Sequence, residues 1–263
     1  MRLESERRRF VGLNVKRTLK RPAIEHDLDL VGQHAGVLAF QEFITRGHWS
    51  AFRRQLGRFG WKSYPSVLVG LVRPVWSGQA IAWRRGLWRK IDTRRRRLHQ
   101  GAAGISEPRQ LRAVLLEDRT SGLAMWFGTT HFVVAGDQDE DGRLRRVMLL
   151  EDLVQLERFL EDLQHSGHAG AFQLDANLTA SSDVWPAFQR LLRRRGCTMH
   201  GVRGVEYLIT WQGTWQAGDD FRGQLERSGV DVETDTTIGT DELETDHEAR
   251  GIVFRLTGEA GPA

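Results

Sequence analysis

The stretch Gly170–Leu178, GAFQLDANL, carries the groups with the plainest chemical use. An apolar strand over Ala171–Leu174 runs into Asp175-Ala176-Asn177. Side chains alternate along a strand, so a carboxylate and a carboxamide two residues apart point the same way. Such a pair can orient a water molecule and donate hydrogen bonds to an oxyanion. The plainer alternative is a polar turn closing the strand, because Asp and Asn favour local hydrogen bonds. Other strand ends repeat the theme. Asn14 closes one apolar strand, Glu42 of Gln41-Glu42 closes a second, and His131 sits at the end of Ala124–Phe132. Glu206 lies at the start of Val205–Trp211, and Asp246-His247 immediately precede a last strand. Each has an ordinary explanation: Asn14 as a turn former, His131 as a satisfied core histidine, Asp246-His247 as part of an acidic loop. Their recurrence in one chain is harder to assign to accident than any one of them.

The elements that must position these residues are mostly strands. Besides Phe10–Val15 and Gly36–Glu42, the pattern predicts strands over Gln79–Trp83, Leu87–Leu98, Leu111–Glu117 and Ala124–Phe132. Turn signals at Arg85-Gly86, Gly101–Gly104 and Thr120-Ser121-Gly122 separate them. Val230–Thr237 reads as an edge strand and Ala249–Leu256 as the last strand. A short helix or turn fits Asp27–Ala35, and aromatic and leucine spacing predicts a helix over Trp49–Phe59. The clearest helix is Gly142–Leu163, with Val147, Leu150, Val154, Leu156, Phe159, Leu160 and Leu163 as its broad apolar face. Asp183–Arg195 predicts a further helix, closed by Gly196. Strand clusters punctuated by a few helices favour sheets packed face to face with helices outside, in one domain.

Composition bounds the rest. With 40% hydrophobic and 27% charged residues, the chain reads as a soluble globular protein. It contains no run of eighteen apolar residues, so no membrane span is expected. MRLESERRRF lacks the apolar core of a secretory signal, which favours a cytoplasmic location. The single cysteine, Cys197, excludes an intrachain disulfide and a cysteine-based zinc site, and reads as a buried small hydrophobe. The net charge of +4 is unevenly spread: Arg84–Arg97 is strongly basic and Asp219–Glu248 strongly acidic. The basic stretch suits a polyanion such as nucleic acid, or is simply a solvated strand face.

The order of the polar strand ends resembles the endonuclease/exonuclease/phosphatase superfamily. The matching motifs are L-N-V at Leu13–Val15, Q-E-F at Gln41–Phe43, T-T-H-F at Thr129–Phe132, L-D-A-N at Leu174–Asn177, V-E-Y-L at Val205–Leu208 and T-D-H at Thr245–His247. They span about residues 8–257. The resemblance implies a four-layer α/β sandwich, helix-sheet-sheet-helix, with two mixed and mostly antiparallel sheets. Three departures stand out. Glu206 replaces an Asp, Leu174 replaces a Gly whose absence crowds the backbone, and Ser77 falls near a Glu that orients the catalytic histidine in secreted nucleases.

Metal-dependent phosphoester hydrolysis is the implied activity, with a nuclease acting on DNA or RNA preferred. A phosphatase or phosphodiesterase on a small metabolite or lipid headgroup is the alternative, and a binding protein without turnover a second one. Glu42 is the expected main ligand to Mg²⁺ or Mn²⁺, with Asn14 and Asp246 completing an oxygen-rich shell. Asp175 orients or deprotonates the water. Asn177 and Asn14 donate to phosphate oxygens, and Arg112 is a further phosphate clamp or a structural salt bridge. His247 pairs with Glu206, and His131 is a phosphate contact or the acid for the leaving oxygen. Trp49, Trp76 or Trp215 are candidates for stacking on a base.

Overall fold

The computed structural model describes residues 8–14, 21–43, 57, 61–65, 78–99, 109–134, 140–203, 206–213, 229–238 and 249–257. Its strands are β1 (Arg8–Asn14), β2 (Val37–Phe43), β3 (Trp61–Pro65), β4 (Gly78–Arg84), β5 (Trp88–Arg97), β6 (Gln110–Asp118), β7 (Ala124–His131), β8 (Gly170–Asp175), β9 (Thr198–Arg203), β10 (Glu206–Trp211), β11 (Gly229–Ile238) and β12 (Ala249–Thr257). The helices are α1 (Arg21–His34), α2 (Glu140–Gln164) and α3 (Trp185–Arg194). One six-stranded sheet runs β11-β12-β1-β2-β4-β3 and the other β5-β6-β7-β8-β10-β9. Pairing is parallel at β1–β2 and β7–β8 and antiparallel elsewhere in both sheets.

Three apolar clusters separate the layers. Ile24, Leu28 and Val31 of α1 lie on the outer face of the first sheet, against Val11, Leu13, Leu38 and Phe40. Leu149, Leu153, Leu156, Phe159 and Leu160 of α2, with Phe188 and Leu191 of α3, cover the outer face of the second, against Trp126, Phe172, Leu174 and Tyr207. Phe10, Ile81, Trp83, Trp88, Phe127 and Phe254 fill the space between the sheets. Strands covered on both faces are buried nearly throughout, as β7 and β8 are. The expected four-layer sandwich is therefore observed.

Several expectations need correction. The inward face of α2 is not the stripe read from spacing: Val147, Leu150 and Val154 are exposed, and Met148, Leu149 and Leu153 are buried in their place. Leu156, Phe159, Leu160 and Leu163 are buried as expected. The helix is apolar on two sides, so periodicity alone does not choose between them. α3 begins at Trp185 rather than Asp183, whose carboxylate pairs with Arg146 of α2 at 2.7 Å. Gly196, at φ +58°, follows its end in the left-handed region that glycine adopts without penalty. Leu174 points into the helix-side core, so it does not crowd the Asp175 face. His200 lies in β9, bonded to Thr210 Oγ1 at 2.8 Å. The expected helix over Trp49–Phe59 and the turn at Gly101–Gly104 lie outside the described residues, apart from Gly57.

The space between the sheets changes character along its length. At one end, Phe127 packs on Phe10 and Trp88 at 5.3 Å between ring centroids, and on Phe254 at 5.8 Å. At the other end the buried residues are Asn14, Gln41, Arg112, Thr129, His131, Gln173, Asp175 and Glu206. A run of buried polar groups costs stability unless they bond to one another, which makes that end the candidate site.

Candidate functional site

Strand register brings the polar ends together. Asn14 is paired with Gln41 in the parallel β1–β2 ladder, and His131 with Asp175 in the parallel β7–β8 ladder. Antiparallel β10 places Glu206 opposite Asp175. Side-chain hydrogen bonds then cross between the sheets at this end. Asn14 Nδ2 donates to Asp175 Oδ2 at 2.8 Å, and Gln41 Nε2 donates to Thr129 Oγ1 at 2.9 Å. The first joins residues 161 apart in sequence. Both come from side chains pointing inward from facing strands, so the site forms only where the sandwich closes.

Glu42 enters through a backbone irregularity. The β2–β4 ladder shifts register between Phe40 and Phe43, and Glu42 takes a φ of +53°. A non-glycine residue in that region costs roughly 1–3 kcal/mol and persists where surrounding structure enforces it. The bulge turns the Glu42 carboxylate toward His131, with Oε1 3.9 Å from Nε2, while leaving it partly exposed. Asn177 is likewise left-handed at φ +49°, a conformation Asn tolerates. Its Nδ2 donates to the Phe132 carbonyl at 2.8 Å, which ties the loop after β8 to the end of β7.

His131 is held from behind by a residue that the sequence did not single out. Arg109 Nη1 donates to His131 Nδ1 at 2.6 Å. A guanidinium has donors and no acceptor, so Nδ1 must accept and the ring proton sits on Nε2. That N–H faces Asp175 Oδ2 at 3.4 Å. Ser77, near which the resemblance places a glutamate that orients the histidine, lies outside the described residues. The site also has a buried backing. Asp152 of α2 is bonded to His99 Nδ1 at 2.6 Å and accepts the Val133 N–H at 3.2 Å. Burial pushes the Asp152 carboxyl up, against the pull of the His99 hydrogen bond and the nearby charges of His99 and Arg109.

Arg112 lies on the same inward face, buried, with Nη2 donating to Gln110 Oε1 at 3.1 Å. Gln173, one inward step from Asp175 along β8, is fully buried, and its amide meets no hydrogen-bond partner among the described residues. It lies directly over Gly12, where a Cβ would overlap its Cγ and Cδ. The structure thus gathers Asn14, Glu42, His131, Asp175 and Glu206, with Asn177 and Arg112 beside them. Asp246, His247, Trp49, Trp76 and Trp215 lie outside the described residues. Among the described residues, no set of three or more His, Cys, Asp or Glu forms a ready-made metal cage. Glu42 and Asn14 nevertheless offer the carboxylate and carboxamide oxygens that a hard divalent cation prefers.

No family model matches the chain, and no curated protein matches it in sequence. Solved structures match it in fold. The catalytic domain of human Nocturnin with bound sulfate anion superposes with a TM-score of 0.67 at 14% identity, over 95% of each chain. The mannosyl-6-phosphatase Bt3783 of Bacteroides thetaiotaomicron gives 0.64 at 10% identity, over 94% of this chain and 99% of that one. TDP2 of D. rerio, complexed with single strand DNA product, gives 0.64 at 13% identity, over 95% and 99%. At such identities the likeness establishes the fold, which is that of the endonuclease/exonuclease/phosphatase proteins.

Proposed function

We propose that this chain is a divalent-metal-dependent phosphodiester hydrolase, and that its substrate is nucleic acid. The observation that carries the reading is the bond from Asn14 across the sheets to Asp175, with His131 and Glu42 converging on the same point. Glu42 and Asn14 are the residues that would hold Mg²⁺ or Mn²⁺, joined by Asp246. When bound, the ion polarises the phosphoryl oxygen and offsets the charge that builds there.

The remaining groups divide the work. Asn14 and His131 both donate toward Asp175 Oδ2, which fixes the carboxylate and lets it orient the attacking water. Asn177 spends one amide hydrogen on Phe132 and keeps the second for a phosphate oxygen. Glu206, buried beside Asp175, would hold His247 facing the phosphate. Arg112 adds fixed positive charge beneath the site.

Nucleic acid is preferred over a small phosphoester because β5, rich in arginine, borders the site's sheet. The fold serves both kinds of substrate, since one neighbour is named for a sugar phosphate and another is bound to DNA product. The test is cleavage of supercoiled plasmid and of bis(p-nitrophenyl) phosphate, with Mg²⁺ or with a chelator. Both are expected to be cut with Mg²⁺ alone. Glu42→Gln keeps shape and removes charge, so turnover should fall by more than about 100-fold in a folded protein, beyond what loss of an outer-shell partner costs. Chelator-resistant turnover would overturn the metal assignment. Hydrolysis of p-nitrophenyl phosphate with intact plasmid would favour the small-substrate alternative, and no turnover on any substrate would favour a binding protein.

A further inference from the structure

The basic strand β5 is not one surface but two. Arg94 and Arg96 are paired in register with Ala113 and Leu111, which belong to the helix-side core. Their charges are already engaged there. Arg94 Nη1 meets Asp92 at 2.6 Å and its guanidinium lies 5.9 Å from the Trp126 ring centroid, and Arg96 meets Asp162 of α2 at 2.5 Å. Arg95 and Arg97 alternate to the opposite face and are paired with Arg112 and Gln110. That is the inward face that carries Thr129, His131, Gln173 and Asp175 in successive strands. Both arginines are exposed, and neither makes an ion pair among the described residues.

We propose that Arg95 and Arg97, with Arg112 behind them, form a track for the backbone phosphates of a polynucleotide strand whose scissile phosphate lies at Asp175. This deepens the phosphodiesterase reading and rests on it. The β6–β7 register places Gln110 one step beyond the Arg112–Thr129 pair, beside His131. Arg97 therefore stands two strands from His131, roughly 10 Å backbone to backbone at the usual strand spacing. An arginine at that distance does not share the phosphate at Asp175. It meets the next phosphates of a polymer, which advance about 3.4 Å of rise per nucleotide in one strand. A small phosphoester has nothing to place there, so the track selects for chain length and for phosphate rather than for base sequence.

The experiment compares R95Q/R97Q with R94Q/R96Q, two variants of equal net charge. Binding of a fluorescein-labelled thymidine 12-mer is followed by anisotropy in excess chelator, between 50 and 200 mM salt. R95Q/R97Q is expected to flatten the log–log salt dependence by about 1.4, at roughly 0.7 per lost single-strand contact, and R94Q/R96Q to leave it unchanged. Equal slopes for the two variants, or a loss confined to R94Q/R96Q, would overturn the track. Turnover of bis(p-nitrophenyl) phosphate by the wild-type protein separates the two levels. Turnover with equal slopes sinks the track and keeps the enzyme, while a flattened slope without turnover keeps the track and sinks the enzyme.

Discussion

Gly12→Ala probes the contact between the sheets on which the site depends. The added Cβ would overlap Cγ and Cδ of Gln173 and stand 2.6 Å from its Oε1, where ordinary contact begins at 3.4 Å. Gln173 is fully buried and has no open space to enter, so β8 must retreat from β1 by roughly 1 Å or the side chain must leave its rotamer. Two residues further along the same strands lie Asn14 and Asp175, joined at 2.8 Å. A misplacement of about 1 Å at reacting groups costs about 100-fold in rate, so kcat on bis(p-nitrophenyl) phosphate should fall by that order. Overpacking costs about 1–3 kcal/mol, which at about 2–4 °C per kcal/mol lowers Tm by roughly 2–12 °C. Gln173→Ala in the same chain removes the clash, and because no hydrogen bond of the Gln173 amide is lost, rate and Tm should both recover. Gly128→Ala serves as the comparison. Its Cβ overlaps the Phe172 ring on the helix side, so it should lower Tm without the matching loss of kcat. Wild-type kcat in G12A, or a double variant no better than the single one, would overturn this account.

Three further outcomes are expected. If Glu206 and His247 form a pair, the double variant E206Q/H247A should lose little more activity than H247A alone, and additive losses in kcat would exclude the pair. Burial holds the His168 imidazole below its usual pKa of 6.5, so its contribution to stability is complete above pH 6.5 and is lost as pH falls through the lowered value. His168→Gln should therefore lose less Tm than the wild type between pH 7 and pH 5, and parallel curves would exclude the effect. Burial pushes the Cys197 thiol up to about 12, partly opposed by Arg195, so the native protein should react with a thiol reagent at pH 8 far more slowly than the unfolded chain.

Strands bounded by clear turn signals were legible in the sequence. β4, β5, β6, β7 and β8 lie within a residue or two of their predicted limits, because Gly122 and Arg85-Gly86 punctuate them. β3 and β9 were not. Trp61–Pro65 and Thr198–Arg203 are short edge strands with little alternation, and their assignment comes from pairing with β4 and β10. The residues gathered at the site were visible one at a time as polar strand ends. Their mutual geometry was not, since it depends on ladder registers and on side-chain hydrogen bonds between sheets. Arg109 illustrates the limit: nothing in P-R-Q-L-R distinguishes it until β6 is laid beside β7 and its guanidinium reaches His131. The arginines of β5 illustrate another, because composition counts them together and the pleat divides them.

The pairing of β1 with β12 has a consequence in time. Arg8 lies opposite Phe254, so β1 must wait for a partner made long after it. At about 5–20 residues per second of synthesis, that wait is roughly 10–50 s. Strands β5 to β10 are all made in between, and they assemble the second sheet from consecutive segments of the chain. During the interval β1 keeps one hydrogen-bonding edge open, a site for mispairing that a nascent-chain chaperone could cover. Asn14 and Asp175 then meet only as the sandwich closes, so the candidate site would assemble once β12 is in place rather than growing with the chain.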